Sequence, residues 1–119
     1  MKIIVSASGE GLEAQVDPRF GRAAGFVLFD TQTREARNID NRQSLNAAQG
    51  AGIQAAEAVS RLGAECLITG NCGPKAYRTL QAAGIKVYTG AAGTVGEAIA
   101  ALEQGRLTPA GAANVEEHW

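Results

Sequence analysis

Residues 66–88 read CLITGNCGPKAYRTLQAAGIKVY, and this stretch decides the fold. Cys66 to Thr69 is a short apolar run stopped by Gly70, which predicts a strand. Pro74 suits the first turn of a helix, where its missing N–H has no partner to lose, and Gly84 suits the position just past a helix end. The spacing therefore predicts a helix over Pro74 to Ala83, followed by a second strand over Ile85 to Thr89. Strand, helix and strand in so few residues imply a parallel unit with a right-handed crossover.

Toward the C-terminus, Val95, Ala98, Ile99 and Leu102 recur at the spacing of a half-buried helix over Thr94 to Gln104. Thr94 with Glu97 three residues on has the form of a capping box, and Gly105 closes the helix. The remaining tail has no period and reads as irregular. Upstream, Gly50-Ala51-Gly52 opens a helix whose apolar side is Ile53, Ala56, Val59 and Leu62, stopped by Gly63. Met1 to Ser6 is a continuous apolar run and predicts a strand buried on both faces. Phe26 to Asp30 and Arg34 to Asp40, joined by Thr31-Gln32-Thr33, read as an antiparallel hairpin. The order β-β-β-α-β-α-β-α implies a layered α/β domain with helices on both faces of a mixed, mostly parallel sheet.

With 119 residues the chain has the size of one domain. Its net charge of -1 provides no overall field toward nucleic acid or an anionic membrane, so neither is expected as a partner and any anion site must be local. The first apolar run is too short for a signal segment or a membrane span, and a cytoplasmic location is expected. Cys66 and Cys72 are too few for a disulfide framework, and His118 is the only histidine. No set of four cysteine and histidine ligands exists within the chain, so a bound metal must bring most of its own.

Open sheets of this kind bind ligands beyond the carboxyl ends of their parallel strands. Three glycine-rich loops meet that description: Ser6 to Gly11, Gly70 to Pro74 and Gly90 to Gly93. Thr69-Gly70-Asn71-Cys72-Gly73-Pro74-Lys75 leaves a strand and enters a helix start, where unbonded N–H groups favour an anion and would stabilise a Cys72 thiolate. Cys66, inside its strand, reads as structural. Arg19 and Arg22, in DPRFGR, offer two fork-shaped cationic donors suited to an oxyanion or a sulfide. Gly50 and Gly52 would let a ligand approach backbone. Asn41 to Gln49 is a polar loop suited to a partner.

One enzyme motif also fits on paper. Cys72 to Thr79 reads CGPKAYRT, the C-x5-R-[ST] spacing of cysteine phosphatases, with Asp17 in reach as an acid by sequence. Pro74 deletes a donor from the phosphate cradle, however, and Ala76, Tyr77, Leu80 and Ala83 have helical spacing, which carries Arg78 away from the thiol.

Taken together, DPRFGRA at Asp17 to Ala23, the FVLFD strand, GAG at Gly50 to Gly52, TGNCGPKAY at Thr69 to Tyr77, GIKVY at Gly84 to Tyr88 and the final G-x-L at Gly105 to Leu107 carry a resemblance. In that order they resemble the dinitrogenase iron-molybdenum cofactor biosynthesis family of NifX-type carriers and NifB C-terminal domains. The resemblance implies a three-layer α/β/α, ribonuclease-H-like fold, its five-stranded mixed sheet holding one antiparallel strand. It further implies a non-enzymatic carrier or scaffold for a preassembled anionic metal-sulfur cluster, either iron-molybdenum-sulfur or a molybdenum-copper sulfide held largely without covalent bonds.

With only Asp30 and Asp40 at strand ends, ribonuclease chemistry is not expected. Under this reading residues 1–107 form the cofactor-binding domain and 108–119 an irregular tail. Arg19, Arg22 and Lys75 neutralise the cluster, Gly50, Gly52, Asn71 and Gly73 touch it closely, and Cys72 is the one soft metal ligand. The implied partners are the cluster and the recipient or assembly proteins, with the chain a monomer or weak dimer. The rivals are a phosphatase using Cys72 and Arg78, and an interaction module that docks through residues 41–49 or the tail.

Overall fold

A computed structural model of the chain describes residues 1–42, 50–111 and 113. Strand β1 (Lys2–Ala7) lies at the centre of the sheet and is buried from Ile3 onward. Alternation along it serves both faces. Ile4 packs with Phe26, Leu28 and Leu67, whereas Ile3 and Val5 pack with Val27, Phe29 and Ile68 on the other side. Around it run β2 (Gly25–Asp30), β3 (Ala36–Asp40), β4 (Cys66–Ile68) and β5 (Lys86–Tyr88), in the order β3-β2-β1-β4-β5. β2 is antiparallel to both its neighbours, while β1, β4 and β5 are parallel, so the sheet holds one antiparallel strand as expected.

Helices α1 (Ala51–Arg61) and α2 (Pro74–Ala82) cover the Ile4 face through Ala55, Ala56, Val59, Ala76 and Leu80. Helix α3 (Val95–Glu103) covers the Ile3 face alone, through Val95, Ala98 and Ile99. Side chains as small as alanine on α1 and α2 let those two helices lie close to the sheet and to each other. The three layers follow from this division.

β3 begins at Ala36 rather than at Arg34 because Arg34 turns the chain, with φ of 62°. Its guanidinium donates to both carboxylate oxygens of Glu103, at 2.6 and 3.2 Å, and lies 4.9 Å from the Phe29 ring centre. This ties the hairpin turn to the end of α3. The described residues of the tail, 108–111 and 113, form no helix or strand, and the chain is anchored as far as Ala110. The Ala110 N–H donates to Val87 O at 2.7 Å, and the Tyr77 hydroxyl donates to Ala110 O at 2.9 Å. Residues 43–49, most of the predicted polar loop, lie outside the described residues, as do His118 and Trp119 at the end of the tail. No helix among the described residues is long and apolar enough to cross a membrane.

Candidate functional site

The strands that share one direction, β1, β3, β4 and β5, end at a single rim, and the Asp17 to Arg22 loop is fastened there. The Ser6 hydroxyl, wholly buried, donates to Asp17 O at 2.8 Å and shares a second hydrogen bond of 2.8 Å with the Thr69 hydroxyl. The Asp17 N–H returns a bond to Ser6 O at 2.9 Å. These contacts knit the ends of β1 and β4 to the loop. The buried Asp17 carboxylate accepts from the Arg19 backbone N–H at 2.9 Å, an Asx turn that shapes the loop. It is a structural group rather than an acid facing a substrate.

The same loop then runs alongside the β4 to α2 connection. Arg19 and Asn71 form a short parallel bridge, with the Phe20 N–H donating to Asn71 O at 3.2 Å and the Asn71 side-chain amide donating to Pro18 O at 2.9 Å. Phe20 is fully buried and packs on Phe26 with ring centres 5.5 Å apart, which pins the loop to the core. Glycine is required where backbones cross. A Cβ on Gly70 would come 2.6 Å from Pro18 Cα, and one on Gly21 would come 2.5 Å from Gly52 Cα. Gly52 in turn leaves only 3.3 Å between such an atom and Ala76 Cβ. Three segments distant in sequence thus form one continuous backbone surface.

Two helices start on this surface with a glycine as cap. Gly50 at the head of α1 and Gly73 at the head of α2 provide no side-chain cap, and neither helix has an acidic residue in its first turn. Each start presents the positive end of a helix dipole, equivalent to about half a charge. Arg19, Arg22 and Lys75 are exposed on the same segments. Of the glycine loops expected at the rim, the one after β4 runs along the Asp17 to Arg22 loop, and the one after β5 is bonded to it, the Gly90 N–H donating to Gly70 O at 2.8 Å. The loops after β1 and β5 turn toward α3. Ser8 N–H donates to Gln15 O at 3.0 Å, and Val16 N–H to Gly93 O at 2.9 Å.

Asn41, placed by sequence in the polar loop, belongs to the framework. It is 1% exposed, and its side-chain amide donates to Gly21 O at 3.4 Å and to Ala23 O at 2.9 Å. Its backbone N–H donates to Ala24 O at 3.0 Å. Among the described residues its Oδ1 is the buried side-chain atom with no hydrogen-bond partner. Leaving such an acceptor unanswered costs about 1–3 kcal/mol, which the chain tolerates here to hold Gly21 against Gly52. An asparagine directly after a strand was the only local signal.

Cys72 corrects the sequence reading. Its side chain is 0% exposed and belongs to the core cluster under α1 and α2. It immediately precedes the Gly73 cap of α2, the position a helix uses to pack an apolar residue inward. Burial pushes its thiol up to about 12, so the expected thiolate does not form. The phosphatase geometry fails for the same reason. The thiol faces the core, while Arg78 lies exposed within α2. The Asn71 side-chain amide also holds the loop, through its bond to Pro18 O.

A family model described as Dinitrogenase iron-molybdenum cofactor matches residues 1–105. The chain belongs to that family. It superposes on the apo form of the orange protein from Desulfovibrio gigas with a TM-score of 0.93, at 46% identity over 96% of both chains. A putative NifB protein from Thermotoga matches with a TM-score of 0.78, at 36% identity over 91% of both chains. An uncharacterized protein of Methanocaldococcus jannaschii is 30% identical over 78% of this chain and 80% of its own length. Membership supports a role in metal-cluster binding or cofactor biosynthesis.

The donor chemistry fits such a cargo better than it fits a bare ion. Among the described residues no group of three or more histidine, cysteine or carboxylate side chains could hold a metal. What the rim offers is backbone approach, helix starts and exposed cations, the recognition elements of an anion that already carries its own ligands.

Proposed function

We infer that the protein carries or scaffolds a preassembled anionic metal-sulfur cluster containing molybdenum, with copper as its second metal, for delivery to a recipient or assembly protein. The convergence of Asp17 to Arg22, Gly50 to Gly52 and Gly70 to Ala76 into one surface with two uncapped helix starts carries this reading. Arg19, Arg22 and Lys75 balance the charge. Gly50, Gly52 and Gly73 let sulfides approach backbone N–H groups. Asn71 and Asn41 hold the loops in place.

Cys72 supports the seat from beneath, and direct ligation through it would require the core to open. The holding is therefore non-covalent, which suits a carrier because release breaks no metal-protein bond. Residues 1–107 suffice for the seat, and the anchored tail stabilises the β5 edge.

The test is a titration of metal-free protein with tetrathiomolybdate and a copper salt, followed by visible spectroscopy after gel filtration. New absorption that co-elutes with the protein is expected. A protein fraction without colour, with all colour in the small-molecule fraction, overturns the reading.

A further inference from the structure

At the opposite end of the sheet from the rim, two sulfurs meet. Cys66 opens β4 opposite Ile3 and Lys86, and its thiol donates to the Met1 thioether across 3.7 Å. Cys66 is 4% exposed and Met1 41%, so the pair has one fixed member and one at the surface.

A thiolate paired with a thioether suits soft cations such as Cu(I), whereas Ca(II) and Mg(II) prefer carboxylate, carbonyl and water ligands. Neither sulfur takes part in the cluster seat, which lies beyond the other end of β4.

From this geometry we propose that Cys66 and Met1 form a second metal site, for a single soft monovalent cation of the Cu(I) class. Binding exchanges a proton for the metal. The Cys66 S–H bond breaks, its proton passes to solvent, a copper-sulfur bond forms, and a Met1 lone pair completes the coordination with copper remaining Cu(I). The exposed Met1 side chain adjusts to close the pair on one metal while Cys66 stays in the sheet.

The test is anaerobic competition for Cu(I) against bicinchoninate, without added thiols. Wild type is expected to withdraw one equivalent, and Cys66→Ser to bind at least tenfold more weakly. Met1 is the only methionine, so selenomethionine labelling places a single selenium in the protein. Copper-edge X-ray absorption of labelled wild type is then expected to show a selenium neighbour, a readout that does not depend on how well a variant folds. A Cys66→Ser protein that binds as wild type, or a copper shell without selenium, overturns the proposal.

Discussion

Helices α2 and α3 both begin just after a parallel strand ends, and the chain treats the two beginnings differently. At α3 every early donor is answered from within. Thr94 Oγ1 accepts from the Glu97 N–H at 3.1 Å, and Glu97 Oε1 accepts from the Thr94 N–H at 2.8 Å. The carbonyls of Ala14 and Leu12 accept from the Val95 and Gly96 N–H groups, each at 2.8 Å. At α2, as at α1, the cap is a glycine without a side-chain bond, no carboxylate follows, and arginines stand on the adjoining loop. Among the described residues the chain brings side-chain and loop acceptors to the start of α3 and no side-chain cap to the starts of α1 and α2, a contrast that accords with an acceptor from outside at those two.

The strongest way to break this contrast is to separate the backbones that build the open side. Gly21→Ala forces a Cβ to within 2.5 Å of Gly52 Cα, and backbone cannot yield as a flexible side chain would. Overpacking of this kind costs about 1–3 kcal/mol, and a fall in melting temperature of roughly 5–12 °C with loss of cluster binding is expected. Gly9→Ala is the control, since its Cβ meets only ordinary contact at 3.5 Å. Equal melting temperatures for the two variants would show that the close crossing does not constrain the fold.

Next in size is a change of charge. Arg19→Glu reverses an exposed charge on the loop, and surface substitutions of this type change stability by about 0.5 kcal/mol or less. Affinity for the thiomolybdate-copper cluster should fall at least tenfold, about 1.4 kcal/mol. Added salt should weaken wild-type binding more than that of the variant. Unchanged affinity in equilibrium dialysis would place the anion seat elsewhere.

Much of this was legible in the amino-acid order, and the exceptions share a cause. Glycine, proline and the Thr94/Glu97 pair mark helix ends through rules that act within a few residues, so α1, α2 and α3 could be read to within a residue or two. The β1 run could be read as doubly buried because both its faces are apolar. What local rules miss is contact between distant segments. Gly21 on Gly52 and Gly70 on Pro18 look in sequence like ordinary turn glycines. Cys72 reads as a stabilised thiolate because it stands at a helix start, although the residue before a helix cap is one that packing pulls inward. The arginines and helix starts of the rim were anticipated as types of group, but their assembly on one surface depends on the tertiary crossing.

The smallest expected effects test the filled helix start and should leave the open ones untouched. Thr94→Ala removes the hydroxyl that accepts from Glu97 and should cost about 1 kcal/mol, with no change in cluster affinity. Glu97 reports the same site through pH. The Thr94 backbone N–H, and then the Thr94 hydroxyl, hold its carboxyl below the ordinary 4.5. A carboxylate depressed on folding adds stability above the unfolded pKa and loses it as pH falls through the folded one. Wild type should therefore exceed Glu97→Gln in urea midpoint at pH 6, and the gap should close by about pH 3. Asp30, Asp40 and Glu103 are also held low and will weaken both proteins together in acid, so the difference between the two is the quantity to read. A gap that persists at pH 3 would mean that Glu97 acts by packing rather than by charge. The first turn of α3 would then no longer be the helix start that carries its own anion.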